Sequence, residues 1–286
     1  MIGFNALGQL GRLGNQMFQF ASLMGIAKIN DHEFCIPPSD WESDNFDSDE
    51  YYRLLGSATP VSHQLFQVFD LLHRNPDAFK VQYIDPAKPV YNEGGFQFDE
   101  KLYNTCPDEV DLRGFFQSYR YFDDFRSELT DLFRFKDEFQ TPCKELIDQF
   151  DEPPLSIHVR RGDYLTNPNH STLSLKYYED ALAIIGDPRK MVFVFSDDPQ
   201  WCRQQEVFSG DRFLISENNS TYMDLCLMTM CSGHIPANSS FSWWGAYLSK
   251  SNVIVSPRNW FVGSQNEGID TKDLLPPDWV SVNNVE

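Results

Sequence analysis

Leu155-Ser-Ile-His-Val-Arg-Arg-Gly-Asp-Tyr164 has the period of a strand and the ending of a binding loop. Leu155, Ile157 and Val159 alternate with Ser156, His158 and Arg160, as side chains do along a β-strand. At a rise of ~3.3 Å per residue, His158 and Arg160 share a face about 7 Å apart, and Arg161 points the other way. Gly162 permits a sharp exit, and Asp163 and Tyr164 follow on the loop. Open α/β sheets bind ligands just outside the C-terminal ends of their strands. Two guanidinium groups at such an edge suit an anion, phosphate above all. The plainer alternative is a strand end whose arginines pair with surface carboxylates.

Downstream of this stretch the chain alternates regularly. A helix is expected near 174–186, and then a strand at 191–196. That strand is a continuous apolar run, as in a parallel strand buried on both faces. Asp197-Asp198-Pro199 opens a helix, 211–215 reads as a strand, 220–230 as a helix and 233–236 as a short strand. Asn238-Ser-Ser-Phe-Ser-Trp-Trp-Gly245 begins another helix, and Val253–Ser256 is the last strand expected. Strand and helix in this alternation define a parallel sheet covered by helices.

Upstream, Asp151-Glu-Pro-Pro154 ends a helix expected over 141–150 and reads as a linker. The near-continuous apolar run from Met17 to Ile29 predicts a buried helix after a first strand at 2–7 and a loop bearing Gly8, Gly11 and Gly14. Asn15 stands where an N-cap belongs, and a cap or a ligand contact explains it equally. Phe34–Ile36 reads as a strand, and 37–50 as a solvated acidic loop. Residues 51–80 read as helical, with His63 and His73 at the surface or boundary. Short strands and turns follow over 81–98, then a strand at 111–117 and an aromatic-rich amphipathic helix over 119–135. The expected domains are 1–150 and 151–286, with the extreme C-terminus packing back on the first.

The totals narrow the class. Forty-one per cent hydrophobic and 23% charged residues over 286 positions describe a globular protein with room for a sizeable core. A formal net charge of −19 argues against a general nucleic-acid binder and against anionic membrane surfaces. The six cysteines are scattered, with no C-x-x-C pair and no zinc spacing, so buried free thiols are expected. No stretch approaches ~18 apolar residues, so no transmembrane segment is expected, and the default compartment is cytoplasmic.

Three loops should converge on one sheet edge: His158, Arg160, Arg161 and Asp163; then Asp197 and Asp198; then Asn238, Ser239, Ser240, Phe241 and Ser242. Together they suit a nucleoside diphosphate. Guanidinium and hydroxyl donors with a helix N-terminus take the phosphates, and a carboxylate accepts N–H bonds from a guanine edge. Each also has a plainer reading. Asp198 before Pro199 is what a helix cap looks like, and Ser239 or Ser240 serves as one too. Trp243 and Trp244 are more often core than a platform for a sugar.

Gly11-Arg-Leu-Gly-Asn-Gln-Met-Phe-Gln-Phe20, His158-Val-Arg-Arg-Gly-Asp-Tyr164 and Ala237-Asn-Ser-Ser-Phe-Ser-Trp-Trp-Gly-Ala246 resemble the α-1,2-fucosyltransferase family. Leu112-Arg-Gly-Phe-Phe-Gln-Ser118 and Phe195-Ser-Asp-Asp198 are similar to it as well. The resemblance implies a GT-B-like α/β fold of two Rossmann-like domains facing across a cleft, the first on the acceptor side and the second binding GDP-fucose. It implies transfer of L-fucose from GDP-fucose to the 2-hydroxyl of a galactose-containing oligosaccharide, with inversion. By analogy Arg160 holds the β-phosphate, His158 and Asp198 read guanine, and Ser239 or Ser240 supports the phosphate. Asn15, with Gly14 beside it, reaches the donor from the first domain. Asp163 is the first candidate for proton acceptor, or else pairs with Arg161. Asp47-Ser-Asp49 has a metal-holding form but lies in an acidic run and is read as incidental, so no metal or cofactor is expected. The rival readings are a fucosyltransferase with a protein or lipid-linked acceptor, and a non-catalytic sugar-nucleotide binder.

Overall fold

The computed structural model describes residues 1–39, 63–71, 77–168, 170–261 and 269–284. The chain forms two compact units, Met1–Lys136 with Asp270–Leu275, and Asp137–Ile269 with Pro276–Glu286. The expected acidic loop lies beyond Ser39 almost entirely. Asp47, Asp49 and His73 therefore fall outside the described residues.

In the first unit, β1 (Ile2–Gly3) leads through the glycine loop into α1 (Leu13–Ile29), followed by β2 (Phe34–Ile36) and α2 (Leu65–Val68). Then come β3 (Lys80–Val81), β4 (Val90–Asn92), α3 (Glu100–Thr105), β5 (Asp111–Arg113) and α4 (Arg126–Leu132). The strands are parallel, in the order β3-β2-β1-β5-β4. Helix α1 has no polar face because it is enclosed: Met17, Phe18, Phe20, Leu23, Met24 and Ile26 are fully buried. Each such side chain contributes about 1.5–3 kcal/mol relative to exposure. Phe20 packs edge-on against Phe34 and Phe79, joining the helix to the sheet.

The second unit begins with α5 (Asp137–Ile147), and β6 (Leu155–Val159), α6 (Leu175–Ile185), β7 (Val192–Ser196) and α7 (Pro199–Arg203) follow. It continues with β8 (Phe213–Ile215), α8 (Thr221–Met230), β9 (Gly233–Ile235), α9 (Ser240–Tyr247), β10 (Val255–Pro257) and β11 (Val280–Val282). The order β8-β7-β6-β9 is parallel throughout, and a bridge from His234 to Ile254 carries it toward the parallel pair β10-β11. In the second sheet the winding direction reverses once, between β6 and β9, and in the first the chain crosses from β3 past β1 to β4 and steps back to place β5 beside β1. Such a reversal opens a crevice at the strands' C-terminal ends.

Several expectations give way. Helix α5 starts at Asp137 and belongs to the second unit, because it packs on α8: Phe139 meets Tyr222 edge-on, and Cys143 Sγ reaches Met223 O at 3.6 Å. The single helix expected over 119–135 is instead two 3₁₀ turns, Tyr119–Tyr121 and Asp123–Phe125, and then α4. Tyr121 and Phe122 are both buried, and the helical path breaks at Phe122, whose φ is −143°. Strand β11 was not expected, since three residues after a proline-rich turn carry almost no period. His63 is fully buried, with Nε2 2.9 Å from Pro37 O, and burial depresses its pKa to about 4. All six cysteines are free and buried, and burial pushes the Cys35 thiol up to about 12 and those of Cys106 and Cys202 up to about 11.

Candidate functional site

The second unit's candidates collect at the β6–β9 reversal. Strand β6 stops at Val159, so Arg160 and Arg161 are the first residues beyond it. His158, still in the strand, turns to the first turn of α9: its Nδ1 lies 2.8 Å from Ser242 Oγ. Ser242 Oγ in turn donates to Ser239 O at 3.4 Å. That chain of bonds places the imidazole proton on Nδ1 and leaves Nε2 as an acceptor. Burial, with Arg160 nearby, depresses the His158 pKa to about 3, so the ring is neutral. Tyr178 OH donates to His158 O at 3.2 Å and holds the strand end.

Both arginines meet the exit of β7. Arg160 Nη1 lies 2.8 Å from Asp197 Oδ2, and its Nη2 pairs with Asp163 Oδ1. Arg161 Nε donates to Asp198 Oδ2 at 3.1 Å, and its guanidinium lies 3.8 Å from the centre of the Trp201 ring, a cation–π contact. The backbone N–H of Arg161 donates to Asp197 Oδ1 at 2.9 Å. Gly162 makes this approach possible, since a Cβ there would stand 2.5 Å from Asp197 Oδ2. Asp163 thus pairs with Arg160, not Arg161. The cluster holds three carboxylates and two guanidinium groups. It is not the positive island that two adjacent arginines suggest, and an arriving anion competes with these carboxylates for the guanidinium groups.

Asp198 caps α7, with Oδ1 accepting from Trp201 N at 3.1 Å. Cap and ion-pair partner are therefore combined in one side chain. Ser239 is the N-cap residue of α9 without a side-chain cap bond, and Ser240 and Phe241 are half-buried in its first turn. Asn238 is fully buried, its Nδ2 spent on Ser171 O and Trp260 O at 3.2 and 3.1 Å, while its carbonyl accepts from Tyr164 OH at 3.0 Å. It ties the β6 and β9 exits together from inside. Trp243 and Trp244 are fully buried and belong to the core.

Gly14 and Asn15 belong to the first unit. Helix α1 begins two residues before Asn15, with Arg12 as N-cap, so Asn15 is not the cap. No side chain caps the helix, and the glutamines bind the loop carbonyls instead: Gln16 Nε2 donates to Gly11 O at 3.3 Å, and Gln19 Nε2 to Leu10 O and Gly114 O at 3.1 and 3.0 Å. Gly14 is buried in the first turn. Asn15 Oδ1 accepts from Gln117 Nε2 at 2.7 Å. Gln117, Gln19 and Glu93, which accepts from Phe115 N and Phe116 N at 2.6 and 2.9 Å, were not among the expected residues. The signal for Gln117 was its place in the Leu112–Ser118 stretch.

This architecture is shared with solved enzymes. Fucosyltransferase NodZ from Bradyrhizobium superposes with a TM-score of 0.51 at 13% identity, covering 85% of this chain and 91% of that one. POFUT1 in complex with GDP superposes at 0.50 and 16% identity, covering 89% and 96%. The fold is accordingly that of GT-B-like glycosyltransferases. Residues 77–283 match the model of glycosyl transferase family 11, and the chain belongs to that family. An α-1,2-colitosyltransferase of Escherichia coli is 33% identical over 65% of this chain and 67% of its own length. The O-antigen biosynthesis glycosyltransferase WbnK of Escherichia coli is 26% identical over 95% and 98%, and galactoside α-(1,2)-fucosyltransferase 2 of Bos taurus 27% over 88% and 71%. Among the described residues no helix is long and apolar enough to cross a membrane.

Proposed function

We propose that this chain transfers L-fucose from GDP-fucose to the 2-hydroxyl of a galactose-type acceptor, with inversion and without a metal. Membership of family 11 and the relatives named for α-1,2 transfer support the reaction. The observation that carries the site is the pair Arg160 and Arg161 at the β6 exit, beside the neutral His158 and the N-terminus of α9. In the proposed step the acceptor oxygen forms a bond to the sugar C1 as the C1–O bond to GDP breaks on the opposite face. The electron pair leaves on the β-phosphate. Arg160 takes that charge, Arg161 stands behind it, and the dipole of α9 adds to both. The free lone pair of His158 Nε2 accepts an N–H of guanine, and Asp198, with lone pairs left on both oxygens, accepts a second. Asn15 meets the donor from the first unit. The hydroxyl proton passes to Asp163 or to solvent.

A second reading has one observation in its favour. The relative at 33% identity is named for colitose, a fucose lacking its 3-hydroxyl. The experiment incubates the full chain with GDP-fucose or GDP-colitose, with and without lactose and a chelator, and reads GDP release and the NMR linkage of the product. Lactose-dependent release from GDP-fucose, an α-1,2 product and indifference to chelator are expected. A higher kcat/KM with GDP-colitose selects the second reading. GDP binding without transfer from either donor leaves only a binding protein. Activity lost in chelator and restored by manganese overturns metal independence and turns attention to Asp47 and Asp49.

A further inference from the structure

The exit of β5 follows a strained path that seats the fully buried Phe116 ring against Phe4 and Tyr121 and sets the residue after it. Phe116 has φ +51°, in the left-handed region that a bulky side chain avoids. Four bonds hold the segment there. Glu93 accepts from the N–H groups of Phe115 and Phe116, Ser22 Oγ donates to Phe116 O at 3.0 Å, and Gln19 Nε2 donates to Gly114 O. Beyond the Phe116 ring, the segment sets Gln117 against Asn15 at the start of α1. Gln117 is only 6% exposed, its Nε2 donates to Asn15, and its Oε1 is buried with no partner among the described residues. A buried amide with an unsatisfied carbonyl weakens a fold. The first unit therefore carries an orphaned oxygen where it meets Asn15.

The other side of Asn15 is equally shaped. Gly11 has φ +84°, and a Cβ there would stand 2.0 Å from Asn15 Nδ2. Gly11 is exposed, so Nδ2 lies at the open edge of the loop while Oδ1 is turned in to Gln117. We propose that Gln117 is a positioning residue that fixes the side-chain amide of Asn15 with its oxygen inward and its NH₂ outward, as a hydrogen-bond donor to an oxygen of the substrate. The assignment rests on the reading that Asn15 meets the donor, and it makes Asn15 a donor of hydrogen bonds there, not an acceptor of the hydroxyl proton.

Three variants of the full chain test it. Gln117→Met keeps the length and removes the bond, so the Asn15 amide is free to turn. Gln117→Glu offers only an acceptor, which draws Nδ2 inward and reverses the amide. Asn15→Ala, alone and with Gln117→Met, closes a double-mutant cycle. Misplacing a group at a reacting centre costs on the order of tenfold to hundredfold in rate. The expected result is a loss of that size in kcat for Gln117→Met, a larger loss for Gln117→Glu, and no further loss when Gln117→Met is added to Asn15→Ala. The melting temperature should hold or rise in Gln117→Met, because the orphaned carbonyl is gone. Full kcat in Gln117→Met, a loss additive with that of Asn15→Ala, or a matching fall in melting temperature overturns the proposal. A second readout does not depend on turnover. The side-chain NH₂ resonances of Asn15, identified by their loss in the Asn15→Asp variant, should be a single well-dispersed pair in the wild type and averaged toward the shifts of a free asparagine in Gln117→Met. If the wild type transfers no GDP-sugar, the function above fails while this resonance still decides the positioning. An equally averaged resonance in both proteins refutes the positioning alone.

Discussion

Asp163→Asn separates two roles for the most exposed carboxylate of the β6–β7 cluster. The β-phosphate competes on Arg160 with the charges of Asp163 and Asp197. Asp197 is hard to move: it is bound by the Arg161 N–H at 2.9 Å and Arg160 Nη1 at 2.8 Å, and it is packed against Gly162. Asp163 sits on a short 3₁₀ turn with its side chain 50% exposed, against 18% for Arg160. Exposed pairs of this kind are worth about 0.2–1 kcal/mol. If Asp163 is a stand-in for the phosphate, the asparagine variant releases that amount to the ligand, and GDP binds roughly 1.4- to 5-fold tighter. Calorimetric titration of GDP at low and high salt measures it, and the gain should shrink as salt screens the pair. kcat should change by less than about tenfold, since a general base contributes 10²–10⁴-fold. Weaker GDP binding together with a kcat loss of about a hundredfold or more would refute the counter-ion reasoning and make Asp163 the proton acceptor.

Arg160→Ala should lower kcat on the order of 10²–10³-fold with little change in melting temperature, and Arg160→Lys should recover only part of it, because an ammonium cannot make the forked contact. Gly162→Ala drives a methyl to 2.5 Å from Asp197 Oδ2, so that oxygen must shift from Arg160 Nη1; calorimetry should show altered GDP binding, and thermal melting a modest loss of stability. The buried histidines should cost stability in acid, partly offset by Glu93 and Asp111, whose burial raises their pKa to about 7 and about 6. His63, His158 and His234 are buried neutral, with pKa values of about 4, 3 and 3 against 6.5 for an open histidine. Below pH 6.5 the unfolded chain binds protons that the folded chain refuses, so each ring costs about 1.4 kcal/mol per pH unit down to its folded value. Melting curves from pH 7 to pH 4 should show the slope, and His234→Gln should flatten it; an unchanged slope in that variant counts against the burial argument.

The second unit was readable because its strands are long and apolar enough to show a period, and because the reversal between β6 and β9 puts three motifs on one edge. What the motifs could not reveal was partnership. Asp197 and Arg160 are far apart along the chain, and only the pairing of β6 with β7, Val159 opposite Ser196, brings them together. The alternative in which the arginines pair with carboxylates was correct in contact, and those carboxylates belong to the motifs themselves. The first unit was harder. Its strands are two or three residues long, too short for a pattern, and the apolar spacing over 119–135 fits a helix although the backbone breaks at Phe122. Gln117 stayed hidden because its importance lies in a bond to Asn15 across 102 positions.

Six buried thiols turn this protein into its own stopwatch. Cys35 and Cys106 lie in the first unit, and Cys143, Cys202, Cys226 and Cys231 in the second. A thiol reagent that cannot enter the folded core modifies each only when its surroundings open, so labelling rates read local opening site by site. Ligand that closes the β6–β9 edge should slow the second set, Cys202 on α7 first, and a slower Cys35 would mean that the first unit feels it too.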